Sequence, residues 1–232
     1  MSTVAAIIPA YNEADTIGVT VAAVRRIAGV DDIIVVDDGS VDATASEAEK
    51  AGAETVVELE RNRGKGSALD AGVAAANADI LLFLDADLGE SAAHALPLVQ
   101  ATLSGDTDMA IGMLPAVQTA NGSKSGGFGL VLALARWGIR RLTGRTMKAP
   151  LSGQRALRRE VIRRIKGFDR GFGIEVGLTI DALRAGYRVE EIPVPLTHRA
   201  TGRTVKGFLH RARQFYDVFT AIARRALCLP KP

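Results

Sequence analysis

The chain ends two apolar runs on paired acids. "IIVVDD" closes on Asp37 and Asp38, and "LLFLDAD" closes on Asp85 and Asp87. Two carboxylates held close together repel unless a cation or hydrogen bonds intervene. Residues two apart on an extended chain point to one side. Asp85 and Asp87, with small Ala86 between them, are therefore expected to converge on one target. A hard divalent ion, shared with substrate phosphates, suits such a pair. Adjacent Asp37 and Asp38 point apart, so one can face a ligand while the other braces the following turn. Acids at strand ends are also common turn formers, and either pair alone allows that simpler reading. A third stretch, "RNRGKG" from Arg61 to Gly66, sets three cations and two glycines ahead of a helical pattern. A helix N-terminus favours anions. The stretch is neither a Walker loop nor a GxGxxG dinucleotide pattern.

These residues need elements that bring them to one place. "VAAIIPA", "DIIVVDD", "ETVVEL", "DILLFLDAD" and "DMAIG" read as short buried strands. Between them, "ADTIGVTVAAVRRIAG", "SVDATASEAEKAG", "GSALDAGVAAANA" and "SAAHALPLVQATLSG" read as helices, with Ser40 placed to cap the second. Continuous apolar strands alternating with helices predict a doubly wound, mostly parallel α/β sheet covered on both faces. Ligands bind such sheets beyond the carboxyl ends of the strands. "PAYNE", "DDGS" and "DAD" all fall there.

After Gly112 the alternation breaks. "LPAVQTANGSKSGGFG" reads as a loop, "LVLALARWGIRRLTG" as an amphipathic helix, and "SGQRALRREVIRRI" as a turn and a short basic helix. A helix "IEVGLTIDALRAG", an edge strand "YRVEEIPVPL", a basic loop "HRATGRTVKG" and a long amphipathic helix complete the pattern. We expect a single domain over residues 1–232. Residues 1–112 form one half of it, and residues 113–232, with the C-terminal amphipathic helix, form the other.

The bulk composition is that of a globular protein, with 47% hydrophobic and 24% charged residues. A single cysteine, Cys228, excludes an internal disulfide framework and points to a reducing, cytoplasmic setting. "MSTVAAIIPAYNE" carries no basic segment ahead of its apolar run, and no run is long enough to cross a bilayer. From Thr197 onward eight Lys or Arg face one acid, Asp217. Such a basic end fits an anionic partner or a solvated helix face.

"IIPAYNEADTI", "VVDDGSVDAT", "NRGKGSALDAG" and "LFLDADL", in this order, resemble the family 2 glycosyltransferases. The likeness implies their GT-A fold, a Rossmann-like nucleotide-sugar-binding domain. It implies that Pro9, Ala10, Tyr11 and Glu13 border the nucleotide, and that Asp38 reads the base edge. Lys65 would lie by base and phosphates. Of the "DAD" set, Asp85 with Ala86 would approach the ribose and Asp87 would hold the metal, Mg or Mn. The second half is similar to the polyprenyl-phosphate and glucosyl-phosphoglycerate branches. "LSGQRALRRE" matches their acceptor turn, implicating Ser152, Gly153 and Gln154, although Gln154 stands where an aromatic is usual and Ala149 where an acid is common. In "THRATGR", His198 matches a metal ligand, and Arg199 and Arg203 would face the diphosphate.

The expected function is metal-dependent transfer of a sugar from a UDP-sugar, such as UDP-glucose, to an unknown acceptor. Glu175, opening "IEVGLT", is the candidate base, though an acid also suits a helix start for its dipole alone. A polyprenyl-phosphate acceptor at a membrane surface is the alternative. A nucleotidyltransferase and a non-catalytic nucleotide-binding module are weaker readings, and no nucleic-acid partner is expected. The last helix carries Phe208, Ala212, Phe215, Phe219, Ile222, Ala223 and Ala226 at helical spacing, with Arg211, Arg213, Arg224 and Arg225 on its other sides. Lacking a tryptophan, it is expected to pack on its own chain or on a second copy in a homodimer rather than to bind lipid, although a peripheral membrane contact stays open.

Overall fold

The structure, a computed structural model, describes residues 2–115, 128–165, 168–169, 171–197 and 206–227. In chain order, β1 (Val4–Ala10), α1 (Ile17–Val24), β2 (Asp32–Asp37), α2 (Thr44–Lys50), β3 (Thr55–Glu58), α3 (Lys65–Ala75) and β4 (Ile80–Phe83) alternate as the sequence predicts. A short 3-10 turn, Gly89–Ala95, then leads into α4 (Leu96–Leu103) and β5 (Met109–Met113). The second half adds α5 (Phe128–Thr143), β6 (Arg155–Arg158), α6 (Arg159–Ile165), α7 (Ile174–Arg184), β7 (Val189–Pro193) and α8 (Lys206–Ala226).

The seven strands form one sheet in the order β3-β2-β1-β4-β6-β5-β7. All pairings are parallel except those of β6, which runs antiparallel to both β4 and β5. The sequence reading missed β6. Its four residues, "RALR", show no apolar run, because Arg155 is buried for its hydrogen bonds rather than for hydrophobicity. The insertion of β6 also means that the two halves of the chain share one sheet. β7 lies at the edge, where its proline is tolerated.

Strand alternation sends side chains to two cores. Ile7, Ile34, Val36, Leu81 and Phe83 meet α3, α5, α6, α7 and α8 on one face. Ile8, Val35, Leu82 and Leu84 meet α1, α2 and α4 on the other. Covering both faces leaves the carboxyl rim of β1, β2 and β4 as the place where polar loops gather. Among the described residues no helix is long and apolar enough to cross a membrane.

Two local expectations are corrected. α2 begins at Thr44, not next to Ser40, and Asp42 accepts the Thr44 amide at 3.0 Å. Ser40 serves the neighbouring loop instead. β4 ends at Phe83, and Ala86 and Asp87 form a turn, so strand alternation does not set the direction of Asp87.

Candidate functional site

The rim is built from three loops tied to one another through backbone groups. Asn12, at φ 54°, donates its amide to the Ser40 hydroxyl at 2.9 Å, and its side-chain oxygen accepts the Val41 amide at 3.0 Å. Glu13 donates its amide to Thr44 Oγ1 at 2.8 Å. These bonds fix "PAYNE" against "DDGS". Asp37 braces its own turn by accepting the Ser40 amide at 2.8 Å. Asp38 reaches across to the "RNRGKG" turn, where its two oxygens accept the amides of Arg63 at 2.8 Å and Gly64 at 2.7 Å. The two turns pass so closely that a Cβ on Gly39 would sit 2.5 Å from the Arg61 carbonyl carbon, and Gly39 has φ +74°. Only glycine meets both demands.

That bracing sets the start of α3 and so aims Lys65. Its ammonium lies 2.7 Å from Asp85 Oδ1 and 3.3 Å from Glu175 Oε1. Burial alone would lower the Lys65 pKa, but the charges of Asp85 and then Glu175 overcome it and raise the value, so the ammonium stays charged. The other side of Asp85 is held by Gln154, which is fully buried. Gln154 Nε2 donates to Asp85 Oδ2 at 2.6 Å, and Gln154 Oε1 accepts the Asp85 amide at 3.0 Å. Gly153 completes the contact, because a Cβ there would meet Lys65 Nζ at 2.6 Å and both Asp85 oxygens at 3.3 Å.

The sequence-predicted residues therefore divide by surroundings. Lys65, Asp85, Gly153, Gln154 and Glu175 form one cluster, joined through the Gly64 amide to Asp38. Pro9 and Ala10 end β1, with the Ala10 carbonyl accepting the Asp38 amide at 2.9 Å. Tyr11 is exposed at the rim. The Glu13 carboxylate accepts the Thr16 hydroxyl at 2.8 Å. Ala86 is buried, and Asp87 is half-buried in the turn beside it. Ser152 is half-buried, and the Gln154 side chain is hydrogen-bonded to Asp85. His198, Arg199 and Arg203 lie outside the described residues.

Several positioning residues escaped the sequence reading. Thr20, buried in the apolar face of α1, donates its hydroxyl to the Ala86 carbonyl at 2.8 Å and accepts the Gly89 amide at 2.9 Å, holding the turn that carries Asp87. A lone hydroxyl residue in an otherwise apolar helix stripe is the signal that could have found it. Arg155 supports the "LSGQ" loop from beneath. It donates to the Ser152 carbonyl at 2.8 Å, the Pro150 carbonyl at 3.3 Å and Thr179 Oγ1 at 2.9 Å. Burial lowers its pKa to about 10, against the opposing pull of Glu175 and then Glu191. Glu191 accepts the amides of Lys148 and Ala149 at the other end of that loop. Nothing in the local sequence marks either residue.

Asp85 and Asp87 offer the hard oxygen donors that Mg or Mn requires. In this structure the two Asp85 oxygens are engaged by Lys65 and Gln154. Among the described residues no three His, Cys, Asp or Glu side chains cluster as a complete metal cage. Such a site fits an ion that also takes phosphate oxygens from its substrate.

A mostly parallel sheet with acids and a lysine gathered at its carboxyl rim has the arrangement in which α/β proteins bind ligands. The chain belongs to glycosyl transferase family 2, whose profile matches residues 5–166. It is 32% identical over 199 residues to the glucosyl-3-phosphoglycerate synthase of Mycolicibacterium paratuberculosis, covering 77% of this chain and 59% of that protein. The chain thus spans less than two thirds of that curated relative. An uncharacterised glycosyltransferase of Mycobacterium tuberculosis is 32% identical over 201 residues, covering 87% of this chain and 88% of the relative. The crystal structure of glucosyl-3-phosphoglycerate synthase from M. tuberculosis, in complex with Mn2+, UDP and glucosyl-3-phosphoglycerate, superposes with a TM-score of 0.78. That match has 28% identity and covers 99% of this chain and 81% of the other.

Proposed function

We propose that this protein transfers glucose, or a closely related hexose, from its UDP-linked form to an acceptor, with Mn or Mg bound. The observation that carries the reading is the Lys65–Asp85–Gln154 cluster, with Glu175 beside it, at the carboxyl rim of the sheet. The likeness to an M. tuberculosis enzyme crystallised with Mn2+, UDP and its glucosylated product supports the choice of donor and ion.

In this reading, a bound ion supplies charge neutralisation at the diphosphate as it leaves. Asp87 holds it, with His198 as a second protein ligand. Asp85, kept in one orientation by Gln154 and Lys65, accepts hydrogen bonds from the ribose. Pro9, Ala10, Tyr11 and Glu13 wall the nucleotide, and Asp38 lies against the base while bracing the turn ahead of Lys65. Arg199 and Arg203 contact the phosphates, where planar guanidinium groups match the oxygens. Glu175 takes the proton of an acceptor hydroxyl, and Ser152 and Gly153 border that acceptor.

A panel of nucleotide sugars, followed by nucleotide release, tests the proposal. UDP-glucose or a related UDP-hexose is expected to turn over, and UDP to raise the melting temperature only when Mn or Mg is added. Release confined to a guanosine or adenosine sugar, or a UDP effect indifferent to chelation, would sink it.

The Gln154 clamp makes a separate prediction. Gln154→Leu removes the bonds that the Asp85 amide and one Asp85 carboxylate oxygen make to the Gln154 side chain, which costs about 1–3 kcal/mol. The KM for the UDP-sugar is expected to rise roughly tenfold to a hundredfold, with kcat changed only a few-fold. Steady-state kinetics on the purified variant decide it. A fall in kcat at unchanged KM would show that Gln154 serves the acceptor instead.

A further inference from the structure

α5 and α8 pack against each other, with Gly138 of α5 buried beneath Ile222 of α8. Their inward stripes are Val131, Ala135 and Ile139 on one helix and Val218, Ala221 and Ile222 on the other. Outside that seam, large apolar side chains stay in water. Leu130 is 70% exposed and Trp137 59% exposed on α5, and Phe215, Tyr216 and Phe219 are exposed on α8. Helical spacing relates the members of each set along its own helix, and both sets flank the α5–α8 seam. Leu130 and Trp137 lie two turns apart on α5, and Trp137 adjoins Gly138 at the seam. On α8, Phe215 and Phe219 continue the stripe that ends at Ile222.

The charges around this surface have one sign. Arg136, Arg140, Arg141 and Arg213 are exposed and Arg224 is half-exposed. α5 contains no acid, and α8 contains only Asp217, whose Oδ2 accepts the Phe172 amide at 3.1 Å. Arg225, placed by the sequence on the outer side of the last helix, is instead buried in ion pairs with Asp169 and Asp181 at 2.6 Å each. A two-fold dimer through this surface would set the same patch on itself. Its arginines would then meet arginines, which is unfavourable once water is excluded. An anionic bilayer surface has the opposite charge. Aromatic rings settle at the headgroup level, and long arginine side chains reach past apolar surface to phosphate. Trp137 supplies the tryptophan that the last helix lacks by itself.

We infer that the outer face of α5 and α8 is a peripheral docking surface for an anionic lipid bilayer. Trp137 is the only tryptophan of the chain, so its emission reports directly on this face. Mixed with vesicles of phosphatidylglycerol and phosphatidylcholine in equal parts, at physiological ionic strength, the protein is expected to show blue-shifted emission and to sediment with the vesicles. Pure phosphatidylcholine vesicles are expected to do neither. Phe219→Ser, which removes an exposed ring, weakens partitioning about tenfold or more. Arg140→Gln combined with Arg141→Gln, on an exposed helix face where folding is not at stake, weakens it about twentyfold. Absence of any shift with the anionic vesicles overturns the inference. Equal partitioning into both vesicle types removes the role of charge and overturns it too. A blue shift that follows protein concentration without lipid shows that a second copy covers the face, and likewise overturns it.

Discussion

Asp87→Ala is expected to abolish metal-dependent UDP binding while the protein stays folded. Asp87 is the acid that the family resemblance assigns to the ion, while the two oxygens of Asp85 are engaged by Lys65 at 2.7 Å and by Gln154 at 2.6 Å. Asp87 stands half-buried in a turn whose backbone is held by Thr20, so shortening its side chain opens no core cavity. Losing the ion forfeits several kcal/mol of charge stabilisation on the leaving diphosphate. At about 1.4 kcal/mol per factor of ten, turnover falls by roughly a thousandfold or more. Melting curves with UDP, with and without Mn, provide the check. A Mn-dependent increment equal to that of the unaltered protein would place the ion on other residues.

Glu175→Gln is expected to separate binding from turnover. Glu175 sits in the first turn of α7, 8% exposed, with Oε1 at 3.3 Å from the Lys65 ammonium. Glutamine keeps the shape and an oxygen for Lys65 but cannot take a proton. If Glu175 receives the proton of an acceptor hydroxyl, its loss costs about a hundredfold to ten-thousandfold in kcat. UDP affinity in the presence of Mn then changes little, because Asp85 and Gln154 stay in place. Single-turnover rates alongside UDP titration read the two effects separately. A variant with near-normal turnover and weakened UDP binding would make Glu175 a tether for Lys65 and nothing more.

The first half of this molecule is legible in the sequence because its strands are short apolar runs that end abruptly in polar residues. β1, β2, β3 and β4 fall within the predicted segments, and β5 runs one residue past "DMAIG", to Met113. The acids at their ends were visible for the same reason. What stayed hidden depends on tertiary hydrogen bonds that carry no local periodicity. β6 is a strand because Leu81 and Leu82 of β4 and Met109 and Ala110 of β5 need partners, not because "RALR" has any strand pattern of its own. Gln154 and Arg155 follow one another in sequence, yet one clamps Asp85 and the other carries the loop from below. The conformation at Asp87 departs from the expectation. The chain leaves the strand two residues before Asp85, and a turn replaces the extended alternation that had been extrapolated from it.

The antiparallel strand β6 bears on how this scaffold could be re-engineered or could diversify. β4, entirely buried, pairs on one side with β1 and on the other only with β6, which arrives from beyond residue 150. Cutting the chain at Gly112 would leave the Ile80–Phe83 edge bare, a flat apolar edge of the kind that recruits other chains into aggregates. β5 would lose both of its strand partners at once, since among the described residues it pairs with β6 and β7 alone. The second half therefore cannot be exchanged as a module, although the sequence divides there so cleanly. New acceptors must be gained by grafting short loops onto an intact sheet. The stretch 148–151 is the natural graft, because Arg155 and Glu191 hold it through backbone groups, whereas Gly153 and Gln154 must be kept for their contacts with Lys65 and Asp85.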